Sequence, residues 1–269
     1  MSDRERLPGK FVWFELVTRD AKKAQAFYGE VLGWKVQPYP MGAFTYEMIL
    51  TGDTLDSMIG GYATPASDRQ PSHWISYVSV DDVDATAKAA ATNGGKVVEA
   101  PFDLPGVGRS ARIADPQGAE LSLFRNATGD PADAPMAHGG VPATTAGRFI
   151  WNELHTSAPT EALAFYERVL GFSHRSMDMG PGGVYHILSR GGVDRGGVTG
   201  HLPDGVPPHW LPYVAVDDAD ATIARAKHAG ATIQFGPEDI PGVGRFGVLE
   251  DPTGAVLAIM KPRPMAKPG

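Results

Sequence analysis

The sequence predicts an α+β protein of two tandem modules, each a pair of βαβββ units that form curved mixed sheets with the helices outside. The first observation is an internal repeat. Residues 73–85 return as residues 209–221, a shift of 136 (209 − 73), and residues 11–16 return as residues 149–154. The second observation is that, twice in each copy, a strand-like alternation is followed by an apolar stripe at helical spacing and then by further strands.

The repeat sets the predicted domain boundaries. Module 1 spans residues 1–126 and begins with a loose polar arm at residues 1–9, and module 2 spans residues 147–263. Residues 127–146 are rich in Ala, Pro, Gly, Asp and Thr and are predicted to be a linker, while residues 264–269 form a tail. The period is far longer than that of a solenoid repeat, so it indicates two copies of one domain.

Each copy combines capped helices with short strands. In module 1, Asp20 can cap a helix N-terminus through its side-chain oxygen, and Gly33 can end that helix. Asp81 or Asp82 can cap a second helix in the same way. The strands of module 1 are predicted near residues 11–17, 44–50, 57–62, 73–80, 96–99, 109–114 and 119–124.

The composition excludes several classes of protein. The chain is 42% hydrophobic and 20% charged, as globular proteins are, and no apolar run approaches the roughly 20 residues of a membrane span. The net charge of −7 and the lack of Lys/Arg clusters argue against nucleic-acid binding. The absence of cysteine excludes disulfides, thiolate nucleophiles and Cys-ligated metals. Together with an N-terminus that has no signal-peptide core, it leads us to expect a cytoplasmic protein.

Alternation divides the first strand of each module into two faces. In module 1, Val12, Phe14 and Leu16 give an apolar face that suits packing beneath a helix. Trp13 and Glu15 point to the other side, where a carboxylate among apolar neighbours costs free energy unless it is paired, hydrated or used. We therefore predict that this second face lines a ligand cleft. The alternatives are that Trp fills the core and that Glu forms an ion pair where the modules meet.

The predicted cleft residues follow the same alternation through both modules. Trp can stack on a conjugated ligand, and His and Tyr are unusual on a strand that is buried on both faces. The predicted ligand-binding residues are Trp13, Glu15, His73, Tyr77, Trp151, Glu153, His155, His186, His209 and Tyr213. Among them, Glu15, Glu153 and His155 are the candidate catalytic acids or bases. Gly pairs at 60–61 and 196–197 interrupt strands, which suits a bulge or the close approach of a ligand.

Three short motifs, each met in both modules, carry a family resemblance. They are the Phe-Tyr…Val-Leu-Gly end of the first helix, the strand into Val-Asp-Asp, and the Asp-Pro-x-Gly turn before the last strand. From about Phe11 to Met260 the chain resembles the vicinal oxygen chelate superfamily, which includes glyoxalase I, extradiol dioxygenases, fosfomycin resistance enzymes and bleomycin-binding proteins. The resemblance implies the glyoxalase/bleomycin resistance/dihydroxybiphenyl dioxygenase fold. Because this fold serves lyases, dioxygenases, transferases and binding proteins, it does not by itself determine the function.

The resemblance also implies where a metal centre would lie, since metal-dependent relatives place His, Gln or Glu ligands on the first, fourth, fifth and eighth strands. The matching positions, counted from the shared motifs, are Trp13, Gly60, Ile75, Ser122, Trp151, Gly196, Leu211 and Ala258. None is a ligand for a divalent metal, so we expect no metal and no other cofactor. The alternative is a displaced metal site built from Glu15, Glu153, His73 and His209.

We expect the protein to bind a small organic ligand, flat or aromatic, in a cleft between the modules and without the family's metal centre. This fits a binding or sequestration protein of the antibiotic-resistance type. One alternative is a metal-independent tailoring or detoxifying enzyme that uses Glu/His acid–base chemistry. The other is a metal-dependent lyase or dioxygenase with the displaced ligands. The expected partner is a small molecule, with no nucleic acid and no membrane, and the chain is expected to be a monomer (a pseudo-dimer) or a homodimer.

Overall fold

The structure, a computed structural model of the chain, describes residues 4–42, 44–133 and 146–263. The interior of the predicted linker, residues 134–145, and the predicted tail, residues 264–269, lie outside these ranges. None of the helices in the described ranges is long and apolar enough to cross a membrane.

Each module contains two βαβββ units, as predicted. The first unit of module 1 consists of β1 Phe11–Val17, α1 Ala21–Leu32, β2 Lys35–Met41, β3 Phe44–Leu50 and β4 Met58–Ala63. The second consists of β5 His73–Ser79, α2 Val83–Thr92, β6 Lys96–Leu104, β7 Gly108–Ala114 and β8 Glu120–Asn126. In module 2 the first unit consists of β9 Phe149–His155, α3 Pro159–Leu170, β10 Ser173–Asp178, β11 Val184–Arg190 and β12 Val193–Thr199. The second consists of β13 His209–Ala215, α4 Ala219–His228, β14 Thr232–Ile240, β15 Gly244–Glu250 and β16 Val256–Pro262.

Each module forms one eight-stranded mixed sheet. The strand orders are β2-β3-β4-β1-β5-β8-β7-β6 and β10-β11-β12-β9-β13-β16-β15-β14. In the first sheet β1 pairs with β4 and β5 with β8 in parallel, whereas the hairpins β2–β3 and β6–β7 are antiparallel. The second sheet repeats this pattern. These mixed sheets and their helices confirm the predicted α+β class.

Caps and glycines delimit the helices largely as predicted. Asp20 Oδ1 accepts from the backbone N of Lys23 at 3.0 Å, and Asp82, rather than Asp81, caps α2 in the same way. Gly33 ends α1 in the left-handed conformation at φ 70°, which a residue with a Cβ adopts only at a cost. Side-chain caps thus set where α1 and α2 begin, and Gly33 sets where the chain leaves α1 for the sheet.

The edge strands β2 and β10 have no clear pattern in the sequence. β2 carries Pro38 and Pro40 and is mostly exposed, and every residue of β10 is exposed. Proline is tolerated on an edge strand because its missing N–H can face solvent. Hydrophobic and polar residues alternate along a strand when one of its faces is buried. A largely exposed edge strand therefore has no such pattern in its sequence.

The chain packs into two compact lobes, and each lobe takes strands from both modules. Lobe 1 contains residues 4–13, 75–133 and 152–211. Lobe 2 contains residues 14–42, 44–74, 146–151 and 212–263. Lobe 1 therefore joins the second βαβββ unit of module 1 to the first unit of module 2, and lobe 2 joins the other two units.

The hydrophobic core of lobe 1 is drawn from both modules. Module 1 contributes Ile113 and Leu121, and module 2 contributes Leu154, Phe165 and Leu170, each at most 2% exposed. Helix α2 of module 1 packs against helix α3 of module 2. Neither module therefore has this core by itself.

A buried hydrogen-bonded chain in lobe 1 explains two of the repeated motifs. Tyr166, from the Phe-Tyr motif of α3, donates to Asp115 Oδ2 at 3.1 Å and accepts from Trp210 Nε1 at 3.0 Å. Asp115 opens the Asp-Pro-x-Gly turn, and its Oδ1 accepts from the backbone N of Gln117 and of Ala119, both at 2.9 Å. The tyrosine belongs to module 2 and the aspartate to module 1, so the two motifs join the modules inside this lobe.

Lobe 2 contains the equivalent groups. Trp74 Nε1 donates to Tyr28 Oη at 3.2 Å. Asp251 Oδ1 accepts from the backbone N of Thr253 at 2.7 Å and of Ala255 at 3.2 Å. Burial, followed by the charge of Asp251, raises the pKa of Tyr28 well above its ordinary value, which keeps this phenol neutral.

Residues 4–9, the described part of the predicted N-terminal arm, are hydrogen-bonded to the rest of lobe 1 rather than loose. The backbone N of Leu7 donates to Asp130 Oδ2 at 2.7 Å. Asp133 forms ion pairs with Lys10 at 3.2 Å and with Arg195 at 2.6 Å. The prediction of a loose arm is wrong because the first residues of the predicted linker supply carboxylate partners that the local sequence of the arm does not reveal.

Candidate functional site

In lobe 1, the first strand of module 2 presents Glu153 and His155 on one face, since side chains alternate along β9. Leu154, between them, belongs to the hydrophobic core. Gly197 of the neighbouring β12 is the register partner of Glu153. Strand pairing thus fixes both polar side chains on the face away from the core.

His155 is held from both sides of its ring. Its Nδ1 lies 2.8 Å from the carbonyl O of His201, and its Nε2 lies 2.8 Å from Glu153 Oε1. A carbonyl oxygen only accepts, so Nδ1 carries a proton. The Nε2 contact has the distance of an ion pair. The contact is attractive only when the pair holds one proton in addition to that on Nδ1. The pair is then either imidazolium beside carboxylate or imidazole beside carboxylic acid.

The pKa of His155 reflects two opposing effects. Burial lowers it, because a charged ring is costly away from water, but the carboxylate of Glu153 and then the carbonyl of His201 raise it more. The net result is a pKa above the ordinary value for histidine. The side chains of His155 and Glu153 are only 14% and 12% exposed, so water screens the pair in part.

A second imidazole lies against the first. The ring of His209, the first residue of β13, stacks on His155 with centroids 5.2 Å apart and planes inclined by 10°. His209 Nδ1 donates to the carbonyl O of Pro207 at 2.9 Å, so the neutral ring has its lone pair on Nε2. Burial lowers the pKa of His209, the Pro207 carbonyl opposes this effect, and the charge of His155 adds to the lowering.

Glu153, His155 and His209 form what we call the acid–base cluster. One imidazole is held towards its protonated form and its stacked neighbour towards its neutral form. Titratable neighbours whose pKa values are pushed apart are suited to act as acid and base. The cluster can hold one proton between Glu153 and His155 and accept another at His209 Nε2.

In the first-copy counterpart, which lies in lobe 2, the glutamate of the first strand is hydrogen-bonded to a tyrosine. Tyr46 Oη donates to Glu15 Oε1 at 2.8 Å. A Cβ on Gly61, the register partner of Glu15, would lie 2.3 Å from Tyr46 Oη, and in lobe 1 a Cβ on Gly197 would lie 1.8 Å from Tyr185 Oη. The register also slips beside each glycine pair, as the bulge interpretation expects. The sequence interpretation missed that these glycines make room for tyrosine hydroxyls.

Replacing Glu153 by Gln should destabilise the protein most at mildly acidic pH. Because Glu153 raises the pKa of His155, the pair stabilises the fold fully below the pKa of an unfolded histidine. That stabilisation is lost as the pH rises through the raised pKa. We expect the free energy of unfolding to fall by about 1–2 kcal/mol near pH ~5.5 and by less near pH ~8, measured by urea unfolding.

Glu15→Gln is the matched control for this experiment. Glu15 accepts from the neutral phenol of Tyr46, so its replacement should change stability by an amount that varies little over the same pH range. An identical pH dependence for Glu15→Gln and Glu153→Gln would contradict the proton shared with His155.

Gly61→Ala should destabilise lobe 2 by about 1–3 kcal/mol. The new Cβ would displace Tyr46 and break its hydrogen bond to Glu15, which is 8% exposed. Gly29→Ala is the control, because the nearest atom to a Cβ there is 3.5 Å away and alanine favours the helix, so stability should rise by up to ~1 kcal/mol. A Gly61→Ala protein as stable as the wild type in urea unfolding would show that the Tyr46–Glu15 bond adds nothing.

Two predicted histidines lie outside the cluster and have protein partners of their own. In lobe 1, His186 Nδ1 contacts Ser176 Oγ at 2.8 Å, and burial followed by the nearby His174 lowers the pKa of His186. In lobe 2, His73 Nδ1 donates to the carbonyl O of Pro71 at 2.8 Å. The four predicted ligand-binding histidines therefore lie in three places: His155 and His209 in the acid–base cluster, His186 beside Ser176, and His73 beside Pro71.

The predicted aromatic residues also divide between the lobes. Tyr77 packs edge-on against Phe124 in lobe 1, with ring centroids 6.2 Å apart. Tyr213, in lobe 2, is buried. Trp13, in lobe 1, and Trp151, in lobe 2, are partly buried.

The positions that hold metal ligands in metal-dependent relatives lack donor side chains suited to a divalent ion. Ile75, Leu211 and Ala258 are buried apolar residues, and Ser122 is a buried hydroxyl. Within the described ranges, no group of three or more His, Cys, Asp or Glu side chains is arranged to hold a metal ion. The residues present therefore do not fit the family's metal centre, and neither lobe assembles the displaced set.

Comparisons with known proteins agree with this fold. A model of the Glyoxalase/Bleomycin resistance protein/Dioxygenase superfamily matches residues 10–123 and 149–259. The protein of Mycobacterium tuberculosis named "Putative glyoxylase CFP32" is 39% identical over 254 residues, 94% of this chain and 94% of the relative. "Anthracycline biosynthesis protein DnrV" of Streptomyces peucetius is 32% identical over 274 residues, 95% of this chain and 94% of the relative.

A solved structure shows the same architecture. The Mn(II)-bound glyoxalase from Novosphingobium aromaticivorans superposes with a TM-score of 0.64 at 19% identity, covering 96% of this chain and 84% of its own. At this level of identity, the likeness concerns the fold alone.

Proposed function

The chain belongs to the Glyoxalase/Bleomycin resistance protein/Dioxygenase superfamily, and from this premise we propose that it binds a small, flat aromatic ligand with an acidic hydroxyl at the acid–base cluster. Side chains of this cluster take a proton from the ligand and return it. The lack of ligand-type residues at the family's metal positions supports a mechanism built from protein groups.

The observation that carries this proposal is the stacked pair of imidazoles with oppositely shifted pKa values. The neutral His209 offers its Nε2 lone pair to the hydroxyl proton of the ligand. The proton shared by Glu153 and His155 stabilises the oxyanion that develops beside it. Return of the proton from His209 to a different atom would isomerise the ligand, whereas return to the same oxygen would leave it unchanged.

The chemistry of Trp13 and the names of two relatives support the ligand class. The partly buried indole of Trp13, in the same lobe as the cluster, suits a conjugated ring. DnrV of Streptomyces peucetius and DauV of a Streptomyces strain are both named anthracycline biosynthesis proteins. Anthracyclines are flat, fused-ring phenolic quinones, a chemistry that a proton-accepting imidazole can recognise.

Alizarin, a flat dihydroxyanthraquinone whose colour changes when a phenol ionises, tests this proposal. We expect it to quench tryptophan fluorescence and to show the spectrum of its ionised form at a pH at which free alizarin is neutral. His209→Gln should abolish the ionisation and weaken binding by no more than about tenfold. His73→Gln, the control in lobe 2, should leave the ionisation intact.

Two results would count against the proposal. An equal ionised fraction in the wild type and in His209→Gln would remove the base from the mechanism. Absence of binding up to the solubility limit of alizarin would remove the ligand class. A ligand that binds, ionises and is then recovered unchanged would restrict the function to binding.

Trp13→Ala should weaken alizarin binding by on the order of 1–3 kcal/mol, the size of a lost buried aromatic contact, because Trp13 lies in the same lobe as the cluster. Isothermal titration calorimetry measures the affinity directly. Trp34→Phe is the control, because Trp34 is a core residue of lobe 2 whose Nε1 donates to the carbonyl O of Gly147 at 2.7 Å. It should lower stability and leave affinity unchanged, while unchanged affinity in Trp13→Ala would exclude Trp13 from the ligand site.

A further inference from the structure

We infer that the chain has one acid–base site and one silent counterpart. The counterpart consists of Glu15, Tyr46 and His73 in lobe 2, which we call the silent set. It takes the hydroxyl of the same class of aromatic ligand as a neutral group and does not remove its proton. The inference rests on the proposed function. It assigns the difference between the copies to Val17 and Gln70, whose counterparts in module 2 are His155 and Val206.

The two copies share a common frame. In each, a Glu on the first strand is the register partner of a glycine that lies beneath a tyrosine hydroxyl. In each, a histidine at the start of a later strand donates from Nδ1 to a carbonyl two residues earlier. His73 donates to Pro71 at 2.8 Å, and His209 donates to Pro207 at 2.9 Å. Both neutral rings therefore have their lone pair on Nε2, and the frame alone would give two equivalent sites.

The first difference is at this lone pair. In lobe 2 the amide Nε2 of Gln70 lies 3.4 Å from His73 Nε2, where it can only donate to the ring nitrogen. At the equivalent position, 136 residues later, module 2 has Val206, which has no donor. The lone pair that a general base needs is thus engaged by an amide in the first copy, and that amide is missing from the second.

The second difference is the stacked imidazole. Val17, 3% exposed, stands where module 2 has His155. Valine has no proton to share with Glu15, whose Oε1 accepts from Tyr46 Oη at 2.8 Å. The silent set therefore has a carboxylate and one imidazole. It lacks a counterpart of His155, the imidazole that contacts Glu153 and stacks on His209 in lobe 1.

The test counts ionised alizarin molecules per chain. At saturating alizarin and a pH at which free alizarin is neutral, the wild type should ionise one equivalent. Val17→His combined with Gln70→Val transplants the second-copy pattern into lobe 2 and should raise the count to two. The reverse exchange, His155→Val combined with Val206→Gln, should lower it to zero. Circular dichroism and thermal unfolding establish that each variant is folded.

The outcomes separate this inference from the proposed function. No ionised equivalent in the wild type would overturn the proposed function, whereas two in the wild type would overturn only the inference. A folded forward variant that stays at one equivalent would overturn the assignment to positions 17 and 70. If the forward variant does not fold, the reverse variant decides, because an equivalent that persists in it overturns the inference and its loss supports it.

Discussion

Residues 1–126, expressed alone, should not form a folded monomer. The fragment contains β5–β8 and α2 of lobe 1 but lacks β9–β12 and α3, which complete that lobe. Ile113, Leu121 and Leu123, at most 1% exposed in the full chain, would then lose the module 2 side of their core. Exposed apolar surface drives association, so we expect a dimer or aggregate without a cooperative thermal transition, as judged by sedimentation velocity and circular dichroism.

Co-expression supplies the control for this prediction. Residues 1–126 and 147–263 together contain nearly all of the strands and helices of both lobes, so the two pieces should assemble into a folded one-to-one complex. A fragment of residues 1–126 that sediments as a monomer and unfolds cooperatively would contradict a core shared between the modules.

Asp115→Ala should be among the most destabilising single substitutions, at about 3–5 kcal/mol. It removes the acceptor for the backbone N–H groups of Gln117 and Ala119. It also removes the acceptor for Tyr166 Oη, which is buried in the core of lobe 1. Donors left without partners in a buried site cost the full desolvation of each group. Urea unfolding measures the loss, and Tyr166→Phe, which removes one of these bonds, should cost about 1–3 kcal/mol.

Asp115→Asn is the matched control, because it keeps an acceptor and removes the charge. Burial raises the pKa of Asp115, although the backbone amides and Tyr166 oppose this effect. A raised carboxyl pKa means that the protonated form stabilises the fold, and this stabilisation is lost as the pH rises through that pKa. Asp115→Asn should therefore gain stability relative to the wild type as the pH rises, and equal losses for Asn and Ala at every pH would contradict the hydrogen-bonding account.

The repeat and the local signals predicted most of the fold. Asp20, Asp82 and Gly33 act within a few residues of their own position, so their roles as caps and stop can be inferred from sequence. The Phe-Tyr and Asp-Pro-x-Gly motifs were recognised as signals, but their physical role was not. Tyr166 meets Asp115 across 51 residues and two modules, and a strand pattern contains no information about such a contact.

The candidate site was predicted residue by residue but not as an assembly. Alternation placed Glu153 and His155 on one face, because that requires only the period of a strand. The stacking of His209 on His155 depends on how β9 and β13 pair and on the backbone carbonyls that hold each ring. Tyr46 and Tyr185 were missed, although their recurrence 139 residues apart (185 − 46), each ahead of a glycine pair, is a signal that a closer comparison of the copies would have found.

The central claim is that Glu153 holds His155 towards its protonated form while the stacked His209 stays neutral. A pH titration of the histidine ring resonances by NMR, assigned with His155→Gln and His209→Gln, tests it most directly. The account predicts that His155 titrates above the ordinary pKa of histidine and His209 below it, and that Glu153→Gln moves the pKa of His155 downwards. Coincident titration of both rings at the ordinary value, unchanged by Glu153→Gln, would contradict the claim.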